Sequence, residues 1–242
     1  MKKNIKIIFI VISALLIIYS GYRIISRHLD GKRNRKISNS INENVKNNKS
    51  NSYESLKKIK VDFKKLKSIN EDTVGYIKVN NTKVDYVVVK SNNNDYYLNH
   101  NFYKEYNIYG WIFTDFRNRF DGSDKNIIIY GHNTDNDEMF SSLENVLNEE
   151  WYKNEENLYI PFITEEEKMI FKIFSIYSIE PEDYYIETEF VNNDFLSFVD
   201  KLKSRSIYDF KQNLKRSDKI LTLSTCLNEG EKRLVIHAKR VY

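Results

Sequence analysis

From Gly75 onward the chain breaks into short runs rich in Val, Ile, Tyr and Phe, and this series limits the fold more than any other feature. The runs cover residues 75–79, 84–89, 108–114, 126–130, 158–163, 168–179, 219–226 and 233–241. Asn80-Asn81 separates the first two, a hairpin signal, and Thr164-Glu165-Glu166-Glu167 separates the fifth from the sixth. Short β-branched and aromatic runs bounded by polar turns read as strands. Two helical patterns interrupt them. One covers residues 139–147; the other follows a cap at Asn193 and carries Phe195, Leu196, Phe198, Val199 and Leu202. Seven or eight strands with two inserted helices predict a mainly-β fold, a closed or nearly closed barrel. The 18 Tyr and 14 Phe among 242 residues supply a core for it.

The first 69 residues differ in kind. They hold 17 basic and 4 acidic side chains, net +13, whereas residues 70–242 hold 21 and 30, net −9. The net +4 of the whole chain therefore hides an acidic folded part, which excludes general nucleic-acid binding. Residues 7–22 carry no charge, and with Ile24 and Ile25 the apolar stretch is about long enough to cross a bilayer at roughly 20 residues per span. No small-x-small cleavage site follows it, which favours an uncleaved signal-anchor over a cleaved signal peptide or a buried helix. The domains expected are an anchor over 1–26, a polar basic spacer over 27–52 and a folded domain over 53–242. The Asn, Ser and Lys of residues 34–52 read as flexible. Leu56, Ile59, Phe63 and Leu66 form one stripe of a Lys-rich helix over 53–69. That helix either packs on the following domain or lies on an anionic surface. Basic residues flank the span on both sides, and a bare count would leave the C-terminal side in the cytoplasm.

Three residues at strand ends could carry chemistry. Cys226, the single cysteine, ends one strand and opens a loop; without a partner it reads first as a small buried hydrophobe. His132 ends the apolar run Ile127-Ile128-Ile129-Tyr130-Gly131. Arg233 begins the last strand, where alternation sets Leu234, Ile236 and Ala238 on one face and Arg233, Val235 and His237 on the other. On spacing alone Arg233 is a surface arginine, but a turn could return it beside Cys226. His28, His100 and His237 read as structural. Together Cys, His and Arg suggest acyl transfer: a thiolate attacks a carbonyl, an imidazole moves protons and a guanidinium holds the oxyanion. One Cys and one His are too few for a zinc site. Asp135 and Asp137 hint at calcium, without the Gly and distal Glu of an EF-hand.

In order along the chain, these motifs resemble the sortase family. Thr222-Leu223-Ser224-Thr225-Cys226 with Arg233 downstream is similar to the sortase signature. Tyr130-Gly131-His132-Asn133, followed by Met139-Phe140, resembles the histidine motif of class B sortases. Gly110-Trp111-Ile112-Phe113-Thr114-Asp115-Phe116-Arg117-Asn118 resembles the strand before that motif, and the insert over 183–206 also fits class B. Leu227-Asn228 stands where some class B members carry an acidic residue. The resemblance implies a sortase-like closed barrel of seven to eight strands behind an N-terminal helix and a transmembrane anchor. It implies a single-pass membrane protein with its catalytic domain outside the cell, against the bare charge count. Such an enzyme cleaves an Asn-Pro-x-Thr-x sorting motif after Thr, through a Cys acyl-enzyme, and transfers the surface protein to an amine of lipid-linked peptidoglycan. His132, Cys226 and Arg233 become the catalytic residues, and Leu98, Tyr185, Ile186 and Ser224 the substrate-binding ones. No cofactor or metal is expected. A thiol endopeptidase of the same fold, resolving the acyl-enzyme with water, and a non-enzymatic membrane-tethered binding module remain as alternatives.

Overall fold

The computed structural model describes residues 2–47, 50–133, 138–190, 194–226 and 232–242, with the backbone alone for residues 2–4 and Cys226. The strand runs become β3 (Thr73–Lys78), β4 (Asp85–Val89), β5 (Phe113–Thr114), β6 (Asn126–His132), β7 (Tyr159–Ile163), β8 (Lys168–Ile179), β9 (Ile220–Cys226) and β10 (Arg233–Arg240). They close into a barrel in the order β10-β8-β7-β3-β4-β5-β6-β9, with β9 paired back to β10. Only the last two residues of the run over 108–114 pair as a strand. The helix expected over 139–147 is instead a 3-10 run, Ser141–Leu147, followed by the one-turn helix α4 (Glu149–Tyr152). The cap expected at Asn193 lies outside the described residues, as do Asp135 and Asp137; the helix that follows, α5, runs Asp194–Ser204.

Many barrel strands are apolar without interruption because both of their faces are covered. On β10, Leu234, Ile236 and Ala238 point into the barrel core. Val235 lies under α5, with Phe195, Val199 and Leu202. His237 is fully buried on that same outer side. Tyr177 Oη lies 2.9 Å from its Nε2, and Thr222 Oγ1 lies 2.9 Å from its Nδ1. Burial pushes its pKa down to about 3. The unfolded chain binds that proton near pH 6.5, so stability is complete above 6.5 and declines as pH falls from there toward 3. Below the unfolded pKa this single group contributes a slope of about 1.4 kcal/mol per pH unit. His237→Gln should therefore flatten the dependence of urea-derived stability on pH between about 6 and 5. An unchanged slope would contradict a buried neutral imidazole.

The N-terminal segment differs from its sequence-based reading. Helix α1 runs Lys2–Asn42 and takes in the first part, residues 27–42, of the expected spacer over 27–52. Its apolar part is long and apolar enough to cross a membrane, and none of that window is buried. Its C-terminal part docks on the barrel: Asn34, Ile37, Ser38 and Ile41 are buried. Asn34 Nδ2 donates to Asn107 Oδ1 (3.2 Å) and to the Gly110 carbonyl (3.0 Å). Arg35 pairs with Glu138 at 2.6 Å and Arg33 with Glu105 at 3.2 Å. The polar side chains that read as solvent-loving are the docking contacts, and composition cannot separate the two uses.

The Lys-rich helix also differs. Residues 53–69 form two short helices, α2 (Tyr53–Leu56) and α3 (Phe63–Ile69). Between them β2 (Lys60–Val61) pairs with β1 (Val45–Lys46). That pairing extends the backbone, and Asp62 then starts α3 by accepting from the Lys65 amide at 3.1 Å. Leu56, Ile59, Phe63 and Leu66 are nonetheless all buried, so the stripe packs on the domain rather than lying on a charged surface.

Candidate active site

One parallel and one antiparallel pairing build the site. Strands β6 and β9 run side by side from Asn126↔Ile220 to His132↔Cys226. Parallel strands end at the same rim, so the imidazole-bearing residue and the cysteine become register neighbours although β7, β8 and α5 intervene in sequence. Strand β10 lies antiparallel on the other side of β9, with Val235 opposite Ser224. Two steps further along that register lead to Arg233 and Cys226. Three adjacent strands thus carry the three candidate residues to one end of the barrel.

His132 is held from one side. Its Nε2 lies 2.7 Å from the Leu98 carbonyl, which can only accept, so Nε2 carries a hydrogen and Nδ1 is the basic nitrogen of the neutral ring. Burial lowers the His132 pKa below 6.5 and outweighs the raising effect of the Leu98 carbonyl. The ring is neutral at pH 7. The Leu98 turn is itself fixed: Gly110, at φ +54°, comes so close that a Cβ there would collide with the Tyr97 and Leu98 carbonyls. Gly131, next to His132, likewise leaves no room for a Cβ against Ile112 and Phe140. The residue preceding the histidine is small because β6 is pressed onto those side chains.

Arg233 Nη1 reaches the Tyr185 hydroxyl at 3.3 Å, Asp183 Oδ1 at 3.4 Å and the Glu182 carbonyl at 3.4 Å. The Tyr185 hydroxyl is also 3.0 Å from Ser224 Oγ. A polar chain therefore runs from the guanidinium through the buried tyrosine to β9. Lys232 goes elsewhere, within 3.8 Å of Glu180 at the surface.

A cleft of about 330 Å³ opens over this rim. Five residues singled out from the sequence line it: Leu98, His132, Ile186, Ser224 and Arg233. Tyr185 is fully buried behind them. Cys226 enters the arrangement through its backbone register alone. Six further residues line the cleft unannounced: Asn94, Asp95, Phe113, Tyr130, Asp183 and Thr225. Tyr130 had a signal. It precedes His132 by two residues on a strand, as Ser224 precedes Cys226, and the two are register partners. Asn94 and Asp95 had none, because they sit in the irregular connection between β4 and β5.

The chain was compared with known proteins. The sortase-domain family model matches residues 77–241. Sortase B of Staphylococcus aureus (strain NCTC 8325 / PS 47) is 33% identical over 243 residues, 99% of this chain and 97% of that protein. Sortase B of Listeria monocytogenes is 38% identical over 151 residues, 60% of each chain. Among solved structures, sortase B from B. anthracis in complex with AAEK1 matches with a TM-score of 0.76 at 32% identity, covering 88% of this chain and 99% of that one. A Staphylococcus aureus sortase B–substrate complex matches with a TM-score of 0.70 at 37% identity, covering 74% and 84%. The chain belongs to the sortase family, within it to class B, whose members are cysteine transpeptidases.

Proposed function

We propose that the enzyme is anchored in the cell membrane by residues 1–26, with the catalytic domain over 53–242 on the outer face, and that it joins sorting-signal-bearing surface proteins to an amine of lipid-linked peptidoglycan. The observation that carries the chemistry is the register of β6 against β9, which sets His132 beside Cys226 with Arg233 on the next strand. The Cys226 proton passes to Nδ1 of His132, and the Leu98 carbonyl holds the Nε2–H of the imidazolium that results. The thiolate attacks the carbonyl carbon of Thr in an Asn-Pro-x-Thr-x motif. Arg233 stabilises the oxyanion. The C–N bond breaks, Nδ1 gives its proton to the leaving amine, and a thioester remains. The acceptor amine loses a proton to His132 and attacks the thioester; the C–S bond breaks and the sulfur is free again. Leu98 and Ile186 form an apolar wall for the motif, while Ser224 and the Tyr185 hydroxyl behind it fix the guanidinium.

Two measurements test this reading. A fluorogenic Asn-Pro-x-Thr-x peptide should be cleaved after Thr, with an added amine appearing in the product. Cleavage that never incorporates amine would leave a thiol endopeptidase of the same fold. Protease added to intact, wall-stripped cells should digest the domain; a protected domain would sink the export claim.

A further inference from the structure

Beside the cleft lies a buried carboxylate for which the acyl transfer has no use. Asp115 directly follows β5 and has no exposed surface. Its Oδ1 accepts from the Arg117 backbone amide at 3.0 Å and from Arg117 Nε at 2.8 Å. Its Oδ2 accepts from Arg117 Nη2 at 2.9 Å, from the Tyr130 hydroxyl at 2.9 Å and from Asn94 Nδ2 at 3.0 Å. The same Nη2 donates to the Ile186 carbonyl at 2.8 Å. Asn94 Oδ1 accepts from the Phe116 amide at 3.0 Å. Burial alone would raise the Asp115 carboxyl, but the hydrogen bonds from Arg117 and Tyr130 outweigh it and hold it below the usual range. The site is therefore an ionised carboxylate with a guanidinium laid across it.

Asn94, Tyr130 and Ile186 belong to three separate segments: the β4–β5 connection, strand β6 and the insert between β8 and β9. Each lines the cleft. Two of the three segments lie outside the sheet there, Ile186 at the end of a 3-10 turn, and have no sheet ladder to fix their distance from β6. We infer that Asp115 and Arg117 are positioning residues that tie the three walls of the cleft at one spacing and so set how firmly the donor peptide is gripped, without touching the reacting atoms. The ligand in this inference rests on the sorting-peptide reading above. The residue types suit the task. A guanidinium presents its hydrogens in a rigid plane, so one group reaches a carboxylate and a backbone carbonyl at once, which an ammonium does poorly. An ion pair to a buried carboxylate is a weak device for stability alone, whereas in some systems such a pair fixes one specific arrangement.

The test uses the full chain in detergent, as wild type, Arg117→Met and Arg117→Lys. Three quantities are read: kcat and KM on the sorting-motif peptide, the rate of Cys226 alkylation by iodoacetamide, and amide hydrogen exchange over residues 92–98 and 184–188. In Arg117→Met, KM should rise on the order of tenfold to a hundredfold, the scale of a lost charge-assisted hydrogen bond. The kcat and the alkylation rate should change by less than about threefold, since the transition-state contacts remain. Exchange should quicken in both segments together. Arg117→Lys keeps a cation for Asp115 but loses the fork, so residues 92–98 should stay protected while 184–188 open. An unchanged KM in folded Arg117→Met would overturn the inference, as would an equal fall in kcat and alkylation, which marks a scaffold for the whole rim. If Arg117→Met fails to fold, the segment-specific exchange of Arg117→Lys decides. If the wild type cleaves no such peptide, the peptide reading falls, and the exchange pattern alone decides whether the pair ties the walls.

Discussion

Cys226→Ala should abolish peptide cleavage and acyl-enzyme formation together. The register neighbour of His132 on β9 would then carry no nucleophile, and no other cysteine exists in the chain to replace it. Removing the nucleophile of another acyl-transfer enzyme costs on the order of a millionfold in kcat, so the expected result is no detectable turnover. His132→Ala should reach nearly the same floor. With the ring gone the Leu98 carbonyl has nothing to orient, and neither the thiol nor the leaving amine has a proton carrier. The measurement is mass-spectrometric detection of the acyl-enzyme alongside peptide cleavage, after circular dichroism has established folding. Full activity in folded Cys226→Ala would refute the whole mechanism.

Arg233→Lys should keep the fold and lose most activity. The guanidinium is positioned by the Tyr185 hydroxyl, Asp183 and the Glu182 carbonyl, all on the insert after β8. An ammonium on a flexible stem cannot keep those contacts and hold an oxyanion in the same plane. Loss of one oxyanion donor costs roughly 100- to 1000-fold in kcat elsewhere, and that is the expected scale here. Lys232→Ala is the control. Its side chain pairs with Glu180 at the surface and should change cleavage little. Near wild-type cleavage by folded Arg233→Lys would remove the clamp from the mechanism while leaving the nucleophile in place.

The strand series was legible because β-branched and aromatic composition, and the polar turns that bound each run, are local properties. Residues 168–179 read as one strand and fold as one. The strand-end positions of His132, Cys226 and Arg233 were legible for a related reason, since each stands where an apolar run meets a polar loop. On that pattern alone Cys226 reads as a small buried hydrophobe and Arg233 as a surface arginine, and the roles proposed for them come from the ordered resemblance to the sortase motifs. The misread segments share a cause as well. Asn34 and Arg35 look like a spacer until the folded domain supplies Asn107, Gly110 and Glu138 as their partners. Leu56 through Leu66 looks like one helix until the pairing of β1 with β2 interrupts it.

The sequence by itself determined a mainly-β domain behind an apolar N-terminal helix, and which cysteine, histidine and arginine stand at strand ends. Those follow from local pattern, in which each residue's preference depends on its neighbours along the chain. Only the tertiary structure decided which strands lie beside one another. The parallel pairing of β6 with β9 joins residues far apart in sequence, and no local signal encodes it, because its stability comes from closing the barrel rather than from either strand alone. The same holds for the walls of the cleft. Asn94, Tyr130 and Ile186 converge because one buried carboxylate and one guanidinium satisfy them all, a requirement that exists only once the chain has folded.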